Sequence, residues 1–377
     1  MKKTLVFLTV LMSIAQYAHA FESSARNAIL VDFETGTYLY TKNHQEQMPP
    51  ASMSKLMTIY IVFDKLKKGE LSLDDEFTVS ENAWRKGGAA SGGSTMFLKI
   101  GEKVAVDDLL KGIIIQSGND ACIVVAENIA GSEEDFAVLM NDTAKKLGLK
   151  NSVFANSTGL PDENQLMSAE DLALLARAII KQYPEYYHIF KQKEFMHNGI
   201  KQGNRNPLLY SVDGADGLKT GHTNEAGFCL TGSAVRKGTR LIEVIAGLNS
   251  NAKRSEEAQR LMDYGFREFQ IYKFFDKGQF IDKAQVWYGK QKNVDMLVKN
   301  DVSQVIKKGS AKKYTFKLIY NEPIQAPINK GDVIGKIEIK SPDNSVRYVD
   351  VIAASDVARI GWLERFGRNI KYYLKGK

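Results

Sequence analysis

"PPASMSKLMTIYIVFDKLKKGE", residues 49 to 70, reads as a helix that begins on a serine and a lysine three positions apart. Prolines stand just before its start, apolar residues recur at Leu56, Ile59, Tyr60 and Phe63, and Gly69 closes it. Residues i and i+3 share a helix face, so Ser52 and Lys55 would present a hydroxyl and an amine side by side. A serine hydroxyl is a poor nucleophile until something takes its proton. An amine can take it only when neutral, so its ordinary pKa, near 10.4, must come down to about 7 through burial or a neighbouring cation. The same S-x-x-K spacing also describes a serine that simply caps a helix. The rest of the chain has to decide.

Strand patterns lie on both sides of this helix. "NAILVDFETGTYLY" (27–40) reads as a hairpin around "ETG". "GGAASGGSTMF" (87–97) is a glycine-rich loop, and "VAVDDLLKGIIIQSGNDACIVVAENIA" (104–130) is mostly helical and too apolar for the surface. "SAEDLALLARAII" (168–180) is a further helix, with Ser168 and Asp171 spaced as a capping box. "GFCLTGSAVRKGTRLIEVIAG" (227–247) runs apolar on both sides of an "RKGT" turn, as a strand pair at a sheet centre does. Strands flanking a block of helices predict an α+β domain.

Near residue 270 the pattern changes. "KYTFKLIY" alternates Tyr314, Phe316, Leu318 and Tyr320 against polar partners, and "GKIEIK" and "VRYVDVIAA" continue the alternation, with "NKGD" and "SPDNS" as turns. That predicts a small all-β domain. In "GWLERFGRNIKYYL", helical geometry gathers Trp362, Leu363, Phe366, Ile370, Tyr373 and Leu374 within an arc of about 120°. Arg365, Arg368, Lys371 and Lys375 fall opposite. Such a helix can pack on its own domain or lie in a membrane interface, with aromatics at the headgroups and cations toward anionic lipid. Its place after a β domain favours the membrane surface.

Residues 1–20 have the form of an export signal: Lys2 and Lys3, an apolar run of about a dozen residues, then "AHA". The run is too short to span a bilayer. The expected division is a signal peptide at 1–20, an α+β domain at 21–268, a β-rich domain at 269–358 and an amphipathic helix at 359–377. A net charge of +7, without basic runs interleaved with aromatics, argues against a nucleic-acid partner. Cys122 and Cys229 stand in no C-x-x-C or Cys/His cluster, so buried free thiols are expected rather than a metal site, and no cofactor is implied.

Two more short stretches give the S-x-x-K pair a context. "QSGND" supplies Ser117, Gly118 and Asn119, and "LKTGHT" supplies Lys219, Thr220, Gly221, His222 and Thr223. S-x-x-K, S-x-N and K-T-G in that order form the signature of penicillin-binding proteins and class A β-lactamases. With "PASMSKLMT", "GSTMFLKIGEKV", "LLKGIIIQSGNDAC", "NRNPLLY", "DGLKTGHTNEAGFCL", the β-rich region and the tail, the chain resembles the D-alanyl-D-alanine carboxypeptidases of low molecular mass over nearly its whole length.

The resemblance implies a penicillin-binding fold and peptidoglycan stem peptides ending in D-Ala-D-Ala as substrate, with β-lactams as inhibitors. It implies a periplasmic place on the outer face of the cytoplasmic membrane. Ser52 would be the acylated nucleophile, Lys55 its base, and Ser117 the proton donor to the leaving D-alanine. Asn119 would hold Lys55 and the substrate amide. Lys219 would hold the terminal carboxylate and depress the pKa of Lys55, with Thr220 and Thr223 adding hydrogen bonds. Backbone N–H groups of Ser52 and His222, on either side of the cleft, would form the oxyanion hole. Arg205 and Arg254 match arginines near the cleft. For Arg254, carboxylate binding and a structural ion pair stand open together. Asp171 matches an aspartate that supports a loop, and capping explains it equally.

Other chemistries fit less well. No GK[ST] follows the glycine-rich loop, and no G-x-S-x-G accompanies the histidines. A class A β-lactamase would carry E-x-x-x-N before K-T-G, but four residues beyond Glu163 stands Met167. A crosslink endopeptidase and a slow-turnover penicillin-binding scaffold remain as rivals.

Overall fold

The computed structural model describes residues 21–342 and 344–374, with side chains through residue 370; the expected signal segment and Lys375 lie outside the described residues, as do the side chains of Lys371, Tyr373 and Leu374. The predicted hairpin forms β1 (Asn27–Asp32) and β2 (Tyr38–Lys42), and the later strands are β3 (Ala215–Thr223), β4 (Gly227–Arg236) and β5 (Thr239–Leu248). They make one antiparallel sheet in the order β2-β1-β5-β4-β3.

β5 is the central strand, and its alternate residues serve two cores. Ile242, Val244 and Ala246 face the block of helices. Leu241, Ile245 and Leu248 face a smaller core with Leu261 and Met262 of a helix at Asn251–Glu268. A strand covered on both sides is apolar at most positions, which is why the sequence here lacks a polar alternation, Glu243 being the buried exception.

Residues 49–70 form two kinds of helix rather than one. Helix α1 spans Lys55–Lys68 and ends on Gly69 in a left-handed conformation, while Ala51–Ser54 form a 3-10 turn ahead of it. In a 3-10 turn residues i and i+3 nearly eclipse, so the tighter winding brings position 52 closer over position 55 than an α-helix would. The apolar run at 104–130 is likewise not one helix. It breaks after a π-turn at Gly112–Gln116, where Ser117 takes φ +61°, and resumes as α2 (Asn119–Ala130). A non-glycine residue with positive φ is uncommon and marks a position held by its surroundings.

Helix α3 (Ala169–Gln182) starts as expected, with Ser168 Oγ accepting from Asp171 N–H. The Asp171 carboxylate accepts instead from the N–H groups of Lys150 and Asn151 and from Ser152 Oγ, all across the adjoining loop. Capping and loop support are thus divided between the two residues.

Beyond residue 268 the chain is β-rich. A two-stranded ribbon (Phe269–Phe275 with Val302–Lys307) precedes a six-stranded sheet whose core includes Met296, Ile337, Ile339 and Val351. The strand Thr315–Ile319 is at an edge, so its alternation is not a core face throughout: Phe316 stays exposed and meets the rings of Phe274 and Phe275.

The terminal helix, Trp362–Leu374, turns its described apolar residues outward. Trp362, Leu363, Phe366 and Ile370 are exposed, Trp362 at 69%. The opposite side meets the β domain: Arg368 reaches Gly289 O and pairs with Glu364 at 3.2 Å, and Tyr288 donates to Asn369. The described apolar residues therefore do not pack on the domain.

Candidate active site

Three separate segments converge between β3 and the helical block. Pro50 and the left-handed Ala51 (φ +47°) turn the chain sharply enough to place Ser52 at the mouth of a cleft and Lys55 beneath it. Lys55 is fully buried, and its Nζ donates to Ser52 Oγ (2.8 Å), Asn119 Oδ1 (2.7 Å) and the carbonyl of Thr158 (2.5 Å). Gly159 makes the last contact possible: a Cβ there would collide with the carbonyl of Ala51, and its φ is +77°.

From the other wall, β3 brings Lys219, also buried, whose Nζ donates to Ser117 Oγ (2.9 Å) and to the carbonyl of Thr220 (3.1 Å). Gly221 lets this strand lie close against the 3-10 turn, since a Cβ there would come within 2.9 Å of the Pro50 carbonyl oxygen. Two amine–hydroxyl pairs, Lys55–Ser52 and Lys219–Ser117, thus face one cavity of about 420 Å³. Its lining includes Ser52, Ser117, Thr220, His222 and the guanidinium-bearing Arg205 and Arg254.

No carboxylate lies within ion-pair distance of Lys55, Lys219, Arg205 or Arg254 among the described residues. Burial removes the hydration that stabilises a charged amine. It lowers the Lys55 pKa to about 8, with the Arg205 charge acting in the same direction. Lys219 is pushed well below its ordinary value, first by burial and then by the charges of Lys55 and Arg205. Desolvation is the leading cause for both lysines, where the sequence reading expected Lys219 to be the agent and Lys55 the group acted upon.

For Arg254 the structure separates the two open readings. Its Nη2 bonds Asn251 Oδ1 (2.6 Å), its Nη1 lies 3.4 Å from the carbonyls of Gly221 and Cys229, and its Nε is buried without a partner. Burial lowers its pKa to about 10. It is a desolvated cation on the cleft wall rather than half of an ion pair. Arg205 donates to Ser94 Oγ, which ties it to the glycine-rich rim. His222 is exposed and stacks on Phe228 at 3.9 Å. Thr223 lies beyond the cavity: its Oγ1 accepts from Ala226 N–H, and it borders a neighbouring recess.

Two positions escaped the sequence reading. Thr158 contributes only a backbone carbonyl, which no side-chain pattern reveals. Asp120, directly after "SGN", is fully buried and accepts from Thr95 Oγ1 (2.5 Å) and from the N–H groups of Met96 and Leu98, fixing the rim above Ser117. Its position after the motif was the available signal. Cys122 and Cys229 are buried and free, and burial raises the Cys122 thiol to about 12.

The sheet with its helical block and a serine–lysine cleft define the penicillin-binding class of serine acyl-enzymes, on the strength of the three-motif signature. Comparison with known proteins narrows this. The family described as D-alanyl-D-alanine carboxypeptidase (Peptidase S11) matches residues 14–250, and the chain belongs to it. The family described as penicillin-binding protein 5, C-terminal domain, matches residues 269–359. The D-alanyl-D-alanine carboxypeptidase DacC of Escherichia coli is 39% identical over 96% of this chain and 91% of its own length. DacF of Bacillus subtilis is 35% identical over 94% and 91%. The crystal structure of penicillin-binding protein 5 from Haemophilus influenzae superposes with a TM-score of 0.78 at 35% identity, covering 90% of this chain and 99% of that one.

Proposed function

We propose that this chain is a serine-type D-Ala-D-Ala carboxypeptidase that removes the terminal D-alanine from peptidoglycan stem peptides. Ser52 Oγ attacks the carbonyl carbon of the penultimate D-alanine while the neutral Lys55 amine takes its proton. Ser117 passes a proton to the departing D-alanine nitrogen, and water then hydrolyses the ester on Ser52 by the reverse route. Asn119 positions Lys55 and the substrate amide. Lys219, Thr220 and Arg254 hold the terminal carboxylate. The N–H groups of Ser52 and His222 receive the oxyanion, where a single donor is worth about 3 kcal/mol of barrier. Gly221 permits the close approach of the strand, and Thr223 continues the edge along which the substrate lies.

One observation supports this reading above the others: two desolvated amines, each on a serine hydroxyl at 2.8 and 2.9 Å, meet at one cleft with no carboxylate in ion-pair distance among the described residues. The experiment is release of D-alanine from a peptide ending in D-Ala-D-Ala, with and without penicillin, for wild type and Ser52→Ala. Loss of at least about 10³-fold in the variant is expected. Release that survives the substitution sinks the mechanism. Wild type that binds labelled penicillin but frees no D-alanine points to the slow-turnover scaffold.

The same proposal extends to location: an exported protein held at the outer face of the cytoplasmic membrane by its terminal helix. Exposure of Trp362, Leu363, Phe366 and Ile370 supports it, since contiguous exposed apolar side chains mark interaction surfaces. Among the described residues no helix is long and apolar enough to cross a membrane. Removing residues 361–377 should release the protein from sedimenting membranes, and continued sedimentation would refute the tail's role.

A further inference from the structure

Two short strands, Glu194–His197 and Ile200–Gly203, form a hairpin that lies against the rim of the cleft. Apolar burial does little to hold it there. Phe195 packs on the main core, but Met196 and Ile200 are exposed, Met196 at 62%. A segment with few buried apolar contacts belongs to the low-stability end of a structure and depends on its polar attachments. At the tip of the hairpin these meet on one carboxylate, that of Glu102, in the turn that follows the rim. Its Oε1 accepts from His197 Nε2 (3.0 Å) and Asn198 Nδ2 (3.0 Å), and its Oε2 from Asn198 Nδ2 (3.2 Å) and the N–H of Lys99 (2.9 Å). Burial raises the Glu102 pKa, but the hydrogen bonds from Lys99, Asn198 and His197 outweigh it and hold the carboxyl below its ordinary range. Bonds to a charged acceptor are the stronger kind.

From the hairpin, hydrogen bonds run to the S-x-N motif by two routes. The direct one is Gln116, the residue before Ser117, whose Nε2 donates to the Phe195 carbonyl at 3.4 Å. The other passes through the rim: Gln202 Nε2 donates to the Thr95 carbonyl (3.0 Å), Thr95 Oγ1 donates to Asp120 (2.5 Å), and the neighbouring Ser94 carbonyl accepts from Asn119 N–H (2.8 Å). The rim is therefore a layer between the hairpin and the segment that carries Ser117 and Asn119.

Resting on the carboxypeptidase reading, we infer that Glu102 is a positioning residue: its carboxylate fastens the hairpin to the rim and so sets where Ser117 and Asn119 stand against Lys219 and Lys55. Neither Glu102 nor any residue of the hairpin lines the cleft. The groups assigned to the terminal carboxylate, Lys219, Thr220 and Arg254, stand on β3 and on the helix Asn251–Glu268. Loosening the hairpin therefore acts on the proton-transfer groups and not on substrate binding, which places its effect in kcat. A displacement of about 1 Å far from the chemistry can lower a rate by about 100-fold, and one relayed through hydrogen bonds should lower it by about 10-fold.

The test uses the full chain, with rates referred to the sites that labelled penicillin titrates, so that a variant which merely unfolds loses sites rather than rate. Glu102→Ala should lower kcat for D-alanine release by about 10-fold with KM within about 2-fold, and should slow Ser52 acylation by labelled penicillin by a similar factor. Glu102→Gln keeps a carbonyl oxygen for His197 and Asn198 and should return to within about 3-fold of wild type. Adding His197→Phe to Glu102→Ala should cost little more than Glu102→Ala alone, since members of one network do not add. Glu194→Ala, which removes only the exposed pair with Lys201 (2.7 Å) on the same hairpin, should leave both rates unchanged. An unchanged kcat in Glu102→Ala, a loss confined to KM, or an equal loss in Glu194→Ala would overturn the assignment. If wild type frees no D-alanine, the carboxypeptidase reading falls and acylation alone decides: slower acylation in Glu102→Ala retains the positioning role, and equal acylation removes it.

Discussion

Lysine plays opposite parts in the two halves of this molecule. In the β-rich domain Lys299 and Lys283 lie at the surface, 3.1 Å from Asp350 and 3.8 Å from Asp295, and Lys273 sits between Asp276 and Asp301. In the cleft Lys55 and Lys219 are buried, without a carboxylate and with serine hydroxyls instead. Surface pairs contribute little and leave the amine charged. Burial without a counter-charge costs stability and brings the pKa toward the pH at which the group can exchange a proton. The difference shows how the same side chain becomes chemistry: the fold must bear the cost of desolvating it, and does so at one place.

The largest effect is expected at Lys55. Lys55→Met should lower Ser52 acylation by labelled penicillin by at least about 10³-fold, because the hydroxyl loses its base. In wild type the acylation rate should climb about tenfold per pH unit and level off above about 8, as the Lys55 ammonium loses its proton. A profile flat from pH 6 to 9 would show that Lys55 is not the base.

A paired stability measurement sharpens the contrast. A lysine whose folded pKa is depressed makes the folded state bind fewer protons than the unfolded one. Its penalty is therefore full below the folded pKa and disappears above the unfolded value. Lys219→Met should remove that penalty, raising stability at neutral pH by about 1 kcal/mol or more while abolishing most activity. Lys299→Met should leave stability within about 0.5 kcal/mol. Thermal unfolding of both variants from pH 6 to 10 decides it, and equal effects would erase the distinction.

Glu243 supplies a cautionary case. It lies on β5, fully buried, with both carboxylate oxygens unpartnered, and burial together with Glu257 and Asp263 pushes its pKa well above the ordinary range. Yet it does not line the cleft, so a perturbed pKa alone does not define a site. The raised folded value means stability is full below the ordinary carboxyl pKa and falls as pH rises toward the folded one. Glu243→Met should stabilise by about 1–3 kcal/mol at pH 7, lose that advantage near pH 4, and leave D-alanine release unchanged. A destabilised variant would mean that the carboxyl has a partner after all.

Much of the fold was legible because local pattern and burial agree in it. β5 is mostly apolar, α1 has its proline entry and glycine stop, and the strands of the β-rich region show in their alternation. The apolar helix that follows "QSGND" was legible, but the π-turn before it and the positive φ of Ser117 were not, since no residue type in that run requires them. The packing of the rim loop on Asp120 and Asn119 N–H, and the contact of Ser117 with a lysine 102 residues later, hold that turn in place. The exposure of Phe316 was not legible for the complementary reason: alternation marks a strand, but not whether another layer covers it.

The chain by itself determined which reactive groups are present and in what order, because hydroxyl, amine and glycine are properties of residues and their spacing. Only the tertiary structure decided their protonation and their facing partners. Those depend on solvent exclusion and on distances between segments far apart in sequence, and neither quantity is carried by any single stretch of residues.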